Sequence, residues 1–465
     1  MNTLRFEEAI EAIAGRFTGP APQGSVCGVS IDSRTVRAGE LFVAVPGQRF
    51  DGHNYVEQAI ERGARAAVVS RRDLVAAKAG QPLVWVDDTV VALGRLASYY
   101  RDQIAATVIA VTGSNGKTTT RAMIHHVLSD RRQGRQAQKS FNNQIGVPLT
   151  LLSAEGNDEF LVLELGTNHP GEIGALASIA RPEMGVVVSI GPAHLEGLGS
   201  IEGVIREKTS LFRHVRKGGL AVVNRDCLSP VDELPEGVKL PVVSFGESAE
   251  AHVRLTAFEQ RAEGVRFQYN DRFEVDMPVL GRHNALNALA AVVVARRLGH
   301  SDEEIAARLG TFSAPEMRLE RMRLGDVELI FDAYNANPAS VIAALDVLDA
   351  SEKSGRQVLV IGDMGELGAD SEKLHREIGR RIATTCIDVL VTVGPRAAVI
   401  AEECADRITR HSYGNSNEAA GQSGEWLRSG DLVVIKGSRA MKLEKIVEAL
   451  QGEGKQIHMS AGSRT

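Results

Sequence analysis

The sequence predicts an α/β protein of three domains: a small N-terminal α/β unit, a central doubly wound sheet, and a C-terminal sheet with a rhythm of its own. Three observations carry that reading. A chain of 465 residues is too long for one core and divides into roughly two to four domains on size alone. Apolar β-branched runs such as "TVIAVTG", "EFLVLELG" and "MGVVVSI" are each followed by a helix-like stretch, the alternation of a mostly parallel sheet covered on both faces. Residues 106–123, "ATVIAVTGSNGKTTTRAM", run from such a strand through two glycines into a threonine-rich helix, the shape of a phosphate-binding corner.

Taken in order, residues 1–86 mix short strands, "LFVAVPG" and "AAVVS", with the helical spacing of "HNYVEQAIERGA". Residues 87–313 hold the longer alternation and form a P-loop ATPase-like doubly wound sheet. It is interrupted by "VRLTAFEQRAEGVRFQYNDRFEVDMPVL", whose period of two and Asn270-Asp271 turn predict an antiparallel insertion. "GRHNALNALAAVVVARRLG" then returns to a helix beginning near its His-Asn pair. From 314 to 465 the strands "VELIFDAY", "RQVLVIGDM", "DVLVTVG" and "DLVVIKGS" alternate with helices at "PASVIAALDVLDA", "KLHREIGRRIATT", "PRAAVIAEECA" and "MKLEKIVEAL". That is a Rossmann-like α/β domain without a phosphate loop of its own.

Composition narrows the function. Charged residues at 24% and hydrophobic ones at 43% are ordinary for a globular chain, and a net charge of -6 offers no footprint for nucleic acid. "MNTLRFEEAIEAIAG" lacks an apolar signal core and no run of 18 apolar residues occurs, so a cytoplasmic protein without a transmembrane segment is expected. Cys27, Cys227, Cys386 and Cys404 stand far apart without a C-x-x-C pair, which predicts buried free thiols rather than a zinc or redox site.

The corner departs from the common G-x-x-x-x-G-K-[ST] pattern, which would need a glycine where Val111 stands. The shorter loop still places Gly113, Gly116, Lys117 and Thr118 where backbone N–H groups face an anion, a lysine reaches terminal phosphates and a hydroxyl meets Mg2+. A glycine-rich strand-to-helix corner without a ligand is the alternative. Glu164 ends a parallel strand and His194 follows the next, at the carboxyl ends where such sheets place chemistry. Together they could hold Mg2+ beside Thr118; a solvated rim carboxylate and a structural histidine are the other readings.

"TGSNGKT", "SFNNQIGVPLTLL", "LELGTNHPGEI", "PAHLEGLGS", "GRHNALNALAA", "YNANPAS" and "GDMGELG", in that order, resemble the Mur ligase family of peptidoglycan synthesis. The likeness runs over nearly the whole chain, including "SIDSRTVRAGELFVAVPGQRFDGHNYVEQAIERGA" near the start. It implies ATP-dependent amide-bond formation. The γ-phosphate would pass to the free carboxylate of UDP-N-acetylmuramoyl-tripeptide, and the amine of D-Ala-D-Ala would attack the acyl phosphate. Residues 1–86 would bind the UDP-muramoyl substrate, 87–313 ATP, and 314–465 would close over ATP and bind D-Ala-D-Ala. A monomer is expected.

The same resemblance implies the roles of single residues. Lys117, Glu164, His194 and Lys208 would be catalytic, with Thr118, Glu164 and His194 holding two Mg2+ ions. Gly113, Ser114, Asn115, Gly116, Lys117, Thr118 and Thr119 would cradle the phosphates of ATP, His283, Asn284 and Asn287 would face adenine, and Arg318, Asp332 and Tyr334 would reach phosphate, ribose and base. Ser33, Arg34, Asn142 and Asn143 match segments that hold the UDP-muramoyl substrate; Asn335, Asn337, Lys436 and Ser438 would orient the acyl acceptor. Lys208, in "VIREKTSLF", matches the lysine the family carbamylates from CO2 or bicarbonate. Its usual surroundings resemble "AKGEIF", whereas Glu207, Thr209 and Ser210 stand here, and a plain exposed helical lysine is the alternative. Rival functions are a different amide ligase, on UDP-muramate peptides or folate, and a non-catalytic nucleotide switch.

Overall fold

The structure, a computed structural model, describes residues 1–18, 24–47, 50–77, 80–228, 234–351 and 355–461. Its centre is a nine-stranded sheet in which Thr107–Thr112 lies between Phe160–Glu164 and Met184–Val187, all parallel. Beyond Phe160–Glu164 the sheet ends with Gly134–Gln136; beyond Met184–Val187 it continues through Leu220–Asn224 and Val242–Gly246. Strand order therefore reverses at Thr107–Thr112, the switch point where open α/β sheets leave a crevice at their carboxyl ends.

Both faces of that sheet are covered, which explains the unbroken apolar runs. Val108 and Ala110 enter one core cluster while Ile109 and Val111 enter another, and Leu161 and Leu163 against Phe160 and Val162 repeat the division. Helices Lys117–Leu128 and Arg282–Arg297 cover the second face; Thr89–Arg101, Gly146–Leu152 and Glu172–Ala180 cover the first. Each buried aliphatic side chain is worth about 1.5–3 kcal/mol, so alternation at this depth fixes the strand's register.

The antiparallel insertion is present as Val253–Arg261, Gly264–Tyr269 and Phe273–Met277. Asn270 and Asp271 turn it with φ of 53° and 54°, left-handed values that these two residues tolerate well. Because Val253–Arg261 also pairs parallel with Val242–Gly246, the insertion lengthens the central sheet and does not stand apart from it.

The N-terminal sheet runs Arg16–Thr18, Leu83–Trp85, Ala66–Val69, Leu41–Val43, Val29–Ser30. One face, with Leu41, Val43, Ala66 and Val68, shares the core cluster of Val108 and Ala110. The C-terminal sheet runs Glu320–Leu324, Val327–Asp332, Leu432–Lys436, Gln357–Gly362, Val389–Val393, Thr409–Tyr413, antiparallel only at its first pair. Its two outer strands are polar and carry no clean period in the sequence, because an edge strand buries too little to show one. Among the described residues no helix is long and apolar enough to cross a membrane. One expectation fails: Cys27 and Cys386 are exposed, and only Cys404 is buried. Cys27 lies in the link between the short strands Ser25–Val26 and Val29–Ser30, and Cys386 follows the bend after Ser371–Ala383; neither is on a core strand, so spacing alone misplaces them.

Candidate active site

The corner after Thr107–Thr112 is held by the segment that follows Met184–Val187. The Ser114 and Asn115 amides donate to the Ser189 carbonyl and hydroxyl, each at 2.8 Å, and the Ser114 hydroxyl donates to the Gly191 carbonyl at 3.0 Å. Two of the expected cradle amides are thus engaged within the protein. The donors left for an anion are those of the first turn of Lys117–Leu128, which a helix never bonds internally. Gly116 has φ 80°, and a Cβ there would lie 2.4 Å from Asn287 Oδ1 and 3.0 Å from a Val188 methyl. Only glycine fits. Lys117 folds back so that Nζ donates to the Gly113 carbonyl at 2.7 Å, and desolvation in the cleft pushes its ammonium below the usual lysine range.

Opposite the loop, Glu164 is buried. One oxygen accepts from Asn142 Nδ2 at 3.0 Å, and the other lies 3.4 Å from Arg121 Nη1. Asn143, just before Gly146–Leu152, accepts from the Ile145 and Gly146 amides at 3.1 and 2.9 Å. On the helix Arg282–Arg297, His283 meets the cavity and its imidazolium is disfavoured by desolvation. Asn284 donates to the Leu280 carbonyl at 2.7 Å and accepts from Asn287 at 3.0 Å.

The C-terminal unit meets the loop directly. Arg318 stacks 4.4 Å from the Tyr334 ring centroid and donates to the Thr118 hydroxyl at 2.8 Å. Asn115 and Asn337 exchange amide hydrogen bonds of 2.8 and 3.2 Å, while Asn337 caps the helix Pro338–Asp349. His194 Nδ1 lies 2.5 Å from Glu366 Oε2, a close ion-pair approach that is not aligned as a hydrogen bond. Asp332 and Lys436 end adjacent strands in register and pair at 3.2 Å; Lys436 also donates to the Asp332 and Asn335 carbonyls. Burial pushes the Lys436 ammonium below its usual range.

These groups surround a cavity of about 650 Å³, lined by Ser114 through Thr119, Asn142, Asn143, Glu164, His194, His283, Asn284, Asn287, Arg318, Asp332, Tyr334, Asn335 and Lys436. Six residues named from the sequence do not line it, among them Asn337, whose side chain is taken by Asn115 and by the cap of Pro338–Asp349. Gly113 lies beneath Lys117, its carbonyl taken by that lysine. Ser438 precedes the short turn Arg439–Met441, close to Gly365. Ser33 and Arg34 sit on the N-terminal unit, where Ser33 donates to Gln58 at 2.6 Å and Arg34 grips Asp32 at 2.9 and 2.7 Å. That grip holds the Asp32 carboxyl at about 2.

Lys208 is the sixth, and it corrects the exposed-lysine alternative. It is 1% exposed near the end of Ile201–Thr209, and no acceptor among the described residues bonds its ammonium. Desolvation first, and the Lys117 charge second, push it well below the usual lysine range.

Three residues escape the sequence analysis. Arg121 stands one turn after Lys117 and braces Glu164, with Nε also donating to Gln136 at 3.1 Å. Its place on the same helix face as Lys117 is the only signal. Glu207 is buried and accepts from the Gly171 and Ile173 amides at 2.6 and 2.7 Å, a charged cap on Glu172–Ala180. Glu366 lies in the quoted "GDMGELG", but nothing in the sequence pairs it with His194. Among the described residues no three His, Cys, Asp or Glu side chains converge on one point.

Three family profiles match: "Mur ligase family, catalytic domain" over residues 25–101, "Mur ligase middle domain" over 111–295, and "Mur ligase, glutamate ligase domain" over 317–439. The UDP-N-acetylmuramoyl-tripeptide--D-alanyl-D-alanine ligase of Bacillus subtilis (strain 168) is 36% identical over 451 residues, covering 95% of this chain and 96% of its own. A crystal structure of MurF from Acinetobacter baumannii superposes with a TM-score of 0.89 at 32% identity, covering 97% of this chain and 99% of that one. MurF ligase from Thermotoga maritima in complex with ADP superposes at 0.82 with 27% identity, covering 92% and 98%.

Proposed function

The chain belongs to the Mur ligase family, and on that premise we propose that it joins D-Ala-D-Ala to UDP-N-acetylmuramoyl-tripeptide, driven by ATP, in the synthesis of peptidoglycan precursors. One observation carries the assignment of roles: a single cavity gathers the phosphate loop, Glu164 and His194 from the central unit with Arg318, Asp332 and Lys436 from the C-terminal one. ATP seats its phosphates on the amides that open Lys117–Leu128, with Lys117 leaving Gly113 for the terminal phosphates and Arg318 leaving Thr118 to follow them. His283, Asn284, Asn287 and Tyr334 face the base; Asp332 meets the ribose. The tripeptide carboxylate takes the γ-phosphoryl group and ADP departs. The amine of D-Ala-D-Ala then attacks the acyl carbon, and the bond from that carbon to the phosphate oxygen breaks. Asn335 and Asn337 orient this acceptor. Asn142 and Asn143 lie on the tripeptide side of the cavity, and Ser33, Arg34 and Ser438 would join only at its outer reaches.

Repulsion is the obstacle to the first step. A carboxylate approaching a phosphate oxygen at about 4 Å meets about 4 kcal/mol per unit charge pair at an effective dielectric near 20. Lys117 and Arg318 offset part of it. Thr118 and Glu164 are hard oxygen donors that fit Mg2+, an ion that keeps several waters and needs no all-protein cage. With His194 serving a second ion, bound Mg2+ would neutralise the phosphates and stabilise the group in transfer. Lys208 suits carbamylation because a buried amine pushed below its usual range is neutral at lower pH than an exposed one, and only the neutral amine attacks CO2. The ammonium first loses one proton, the neutral amine forms one N–C bond to CO2 and loses a second, and a cation thereby becomes an anion beside Lys117. The cross-unit contacts also exclude water from an intermediate that water would destroy. ATP with a UDP-linked substrate supports a cytoplasmic location.

The test is phosphate release by the purified chain with Mg-ATP, bicarbonate, UDP-N-acetylmuramoyl-tripeptide and D-Ala-D-Ala, omitting each in turn, with product mass determined. Release with the pentapeptide mass only in the complete mixture supports the reading. Release with another amino acid in place of D-Ala-D-Ala would change the substrate, and nucleotide binding without release would favour a switch.

A further inference from the structure

We propose that Glu366, carried by the C-terminal unit, is the positioning residue for His194, so that the second cation site is complete only when that unit is docked on the central one. The inference deepens the reading of His194 as a metal ligand and rests on it. A histidine that ligates a metal through one ring nitrogen donates from the other to a carboxylate or carbonyl, which sets its tautomer and aim. His194 Nδ1 lies 2.5 Å from Glu366 Oε2, within reach of that donation, though the N–H is not aligned on the carboxylate here and a small rotation of the ring would complete the bond. His194 lines the cavity, and with Nδ1 turned to Glu366 it is Nε2 that is left for a ligand.

The loop bearing Glu366 is built to hold it there. Asp363 accepts from the Ala397 amide at 2.7 Å through its side chain and from the Ser438 amide at 3.1 Å through its carbonyl. The buried His375 accepts from the Met364 amide at 3.0 Å and, through Nδ1, donates to the Ser371 carbonyl at 2.7 Å. Met364 and Leu367 are buried on either side, whereas the Glu366 side chain is half exposed and its backbone takes φ 60°. A non-glycine residue in the left-handed region between two buried anchors is a feature that persists only where the surroundings impose it. Gly368 completes the fit: a Cβ there would lie 3.4 Å from the Glu196 Cα, two residues after His194. The loop and the His194 segment therefore approach one another at two independent points.

The experiment counts Mn2+ bound to the full chain in the presence of a non-hydrolysable ATP analogue, by electron paramagnetic resonance, in the wild type and in His194→Ala, Glu366→Gln and Glu366→Ala. The expected result is two ions in the wild type, with the first unchanged in every variant. The second weakens about 10- to 100-fold in Glu366→Ala and less in Glu366→Gln, which keeps an acceptor oxygen. An unchanged first ion also shows that each variant is folded. Glu366→Ala in the His194→Ala background should add nothing further. If His194→Ala loses the second ion while both Glu366 variants keep it at wild-type affinity, the proposal is overturned and the ligand reading stands. A single ion in the wild type, or two in His194→Ala, overturns the ligand reading and the proposal with it.

Discussion

Replacing Gly116 by alanine separates two costs that the structure keeps distinct. The backbone there has φ 80°, and the new Cβ would lie 2.4 Å from Asn287 Oδ1 and 3.0 Å from Val188 Cγ1. The left-handed conformation alone costs roughly 1–2 kcal/mol for an L-residue. Relieving the contact means moving Asn287, a buried side chain whose Nδ2 bonds Asn284, and that forfeits about 0.5–1.5 kcal/mol more. Gly171 supplies the control: its φ is 89°, and a Cβ there meets nothing within 4 Å. At roughly 2–4 °C per kcal/mol for a unit of this size, Gly171→Ala should lower the calorimetric midpoint by about 2–8 °C and Gly116→Ala by several degrees more. ADP affinity, measured by titration calorimetry, should fall at least about tenfold in Gly116→Ala, a loss of about 1.4 kcal/mol, and stay near wild type in Gly171→Ala. Equal midpoints with equal ADP affinities would refute the claim that Gly116 is fixed by close approach inside the cradle.

Other outcomes follow from single contacts. Lys208→Ala should cut turnover by about 100-fold or more, with partial recovery in millimolar formate or acetate, because a short carboxylate can stand where the carbamate would; full activity without rescue would remove the carbamate. Asn337→Ala should lose a helix cap worth about 1 kcal/mol together with the Asn115 pair, whereas Asn337→Ser keeps the cap. Calorimetry should therefore rank alanine below serine, while scattering should show both variants more open than the wild type. Glu207→Gln should lower the unfolding midpoint, since an amide cannot accept from both the Gly171 and Ile173 amides as the carboxylate does, yet leave ADP affinity intact.

Local chemistry is what the sequence displays well. The corner at Lys117, the hairpin at Asn270 and Asp271 and the helix beginning at Arg282 each follow from neighbours a few residues apart, and the structure has them in those places. Residues that act across the chain were harder to read. Arg318 on Thr118, Asn337 on Asn115 and Glu366 on His194 are contacts between separate sheets, and no periodicity encodes which strand ends will face each other. Lys208 shows the limit from another side: its helix carries Glu202, Arg206 and Glu207, the signature of a solvated surface, yet Glu207 and Lys208 are both buried because the helix turns that face inward. The polar edge strands Glu320–Leu324 and Thr409–Tyr413 were missed for the reason that makes them edges.

The central claim is that the tripeptide carboxylate, not water, receives the γ-phosphoryl group. It is tested most directly by giving the enzyme UDP-N-acetylmuramoyl-tripeptide labelled with ¹⁸O in both oxygens of its free carboxylate, together with ATP and D-Ala-D-Ala, and weighing the phosphate released. Transfer through an acyl phosphate predicts one ¹⁸O in each phosphate and one retained in the new amide. Phosphate free of label, formed alongside pentapeptide, would contradict it.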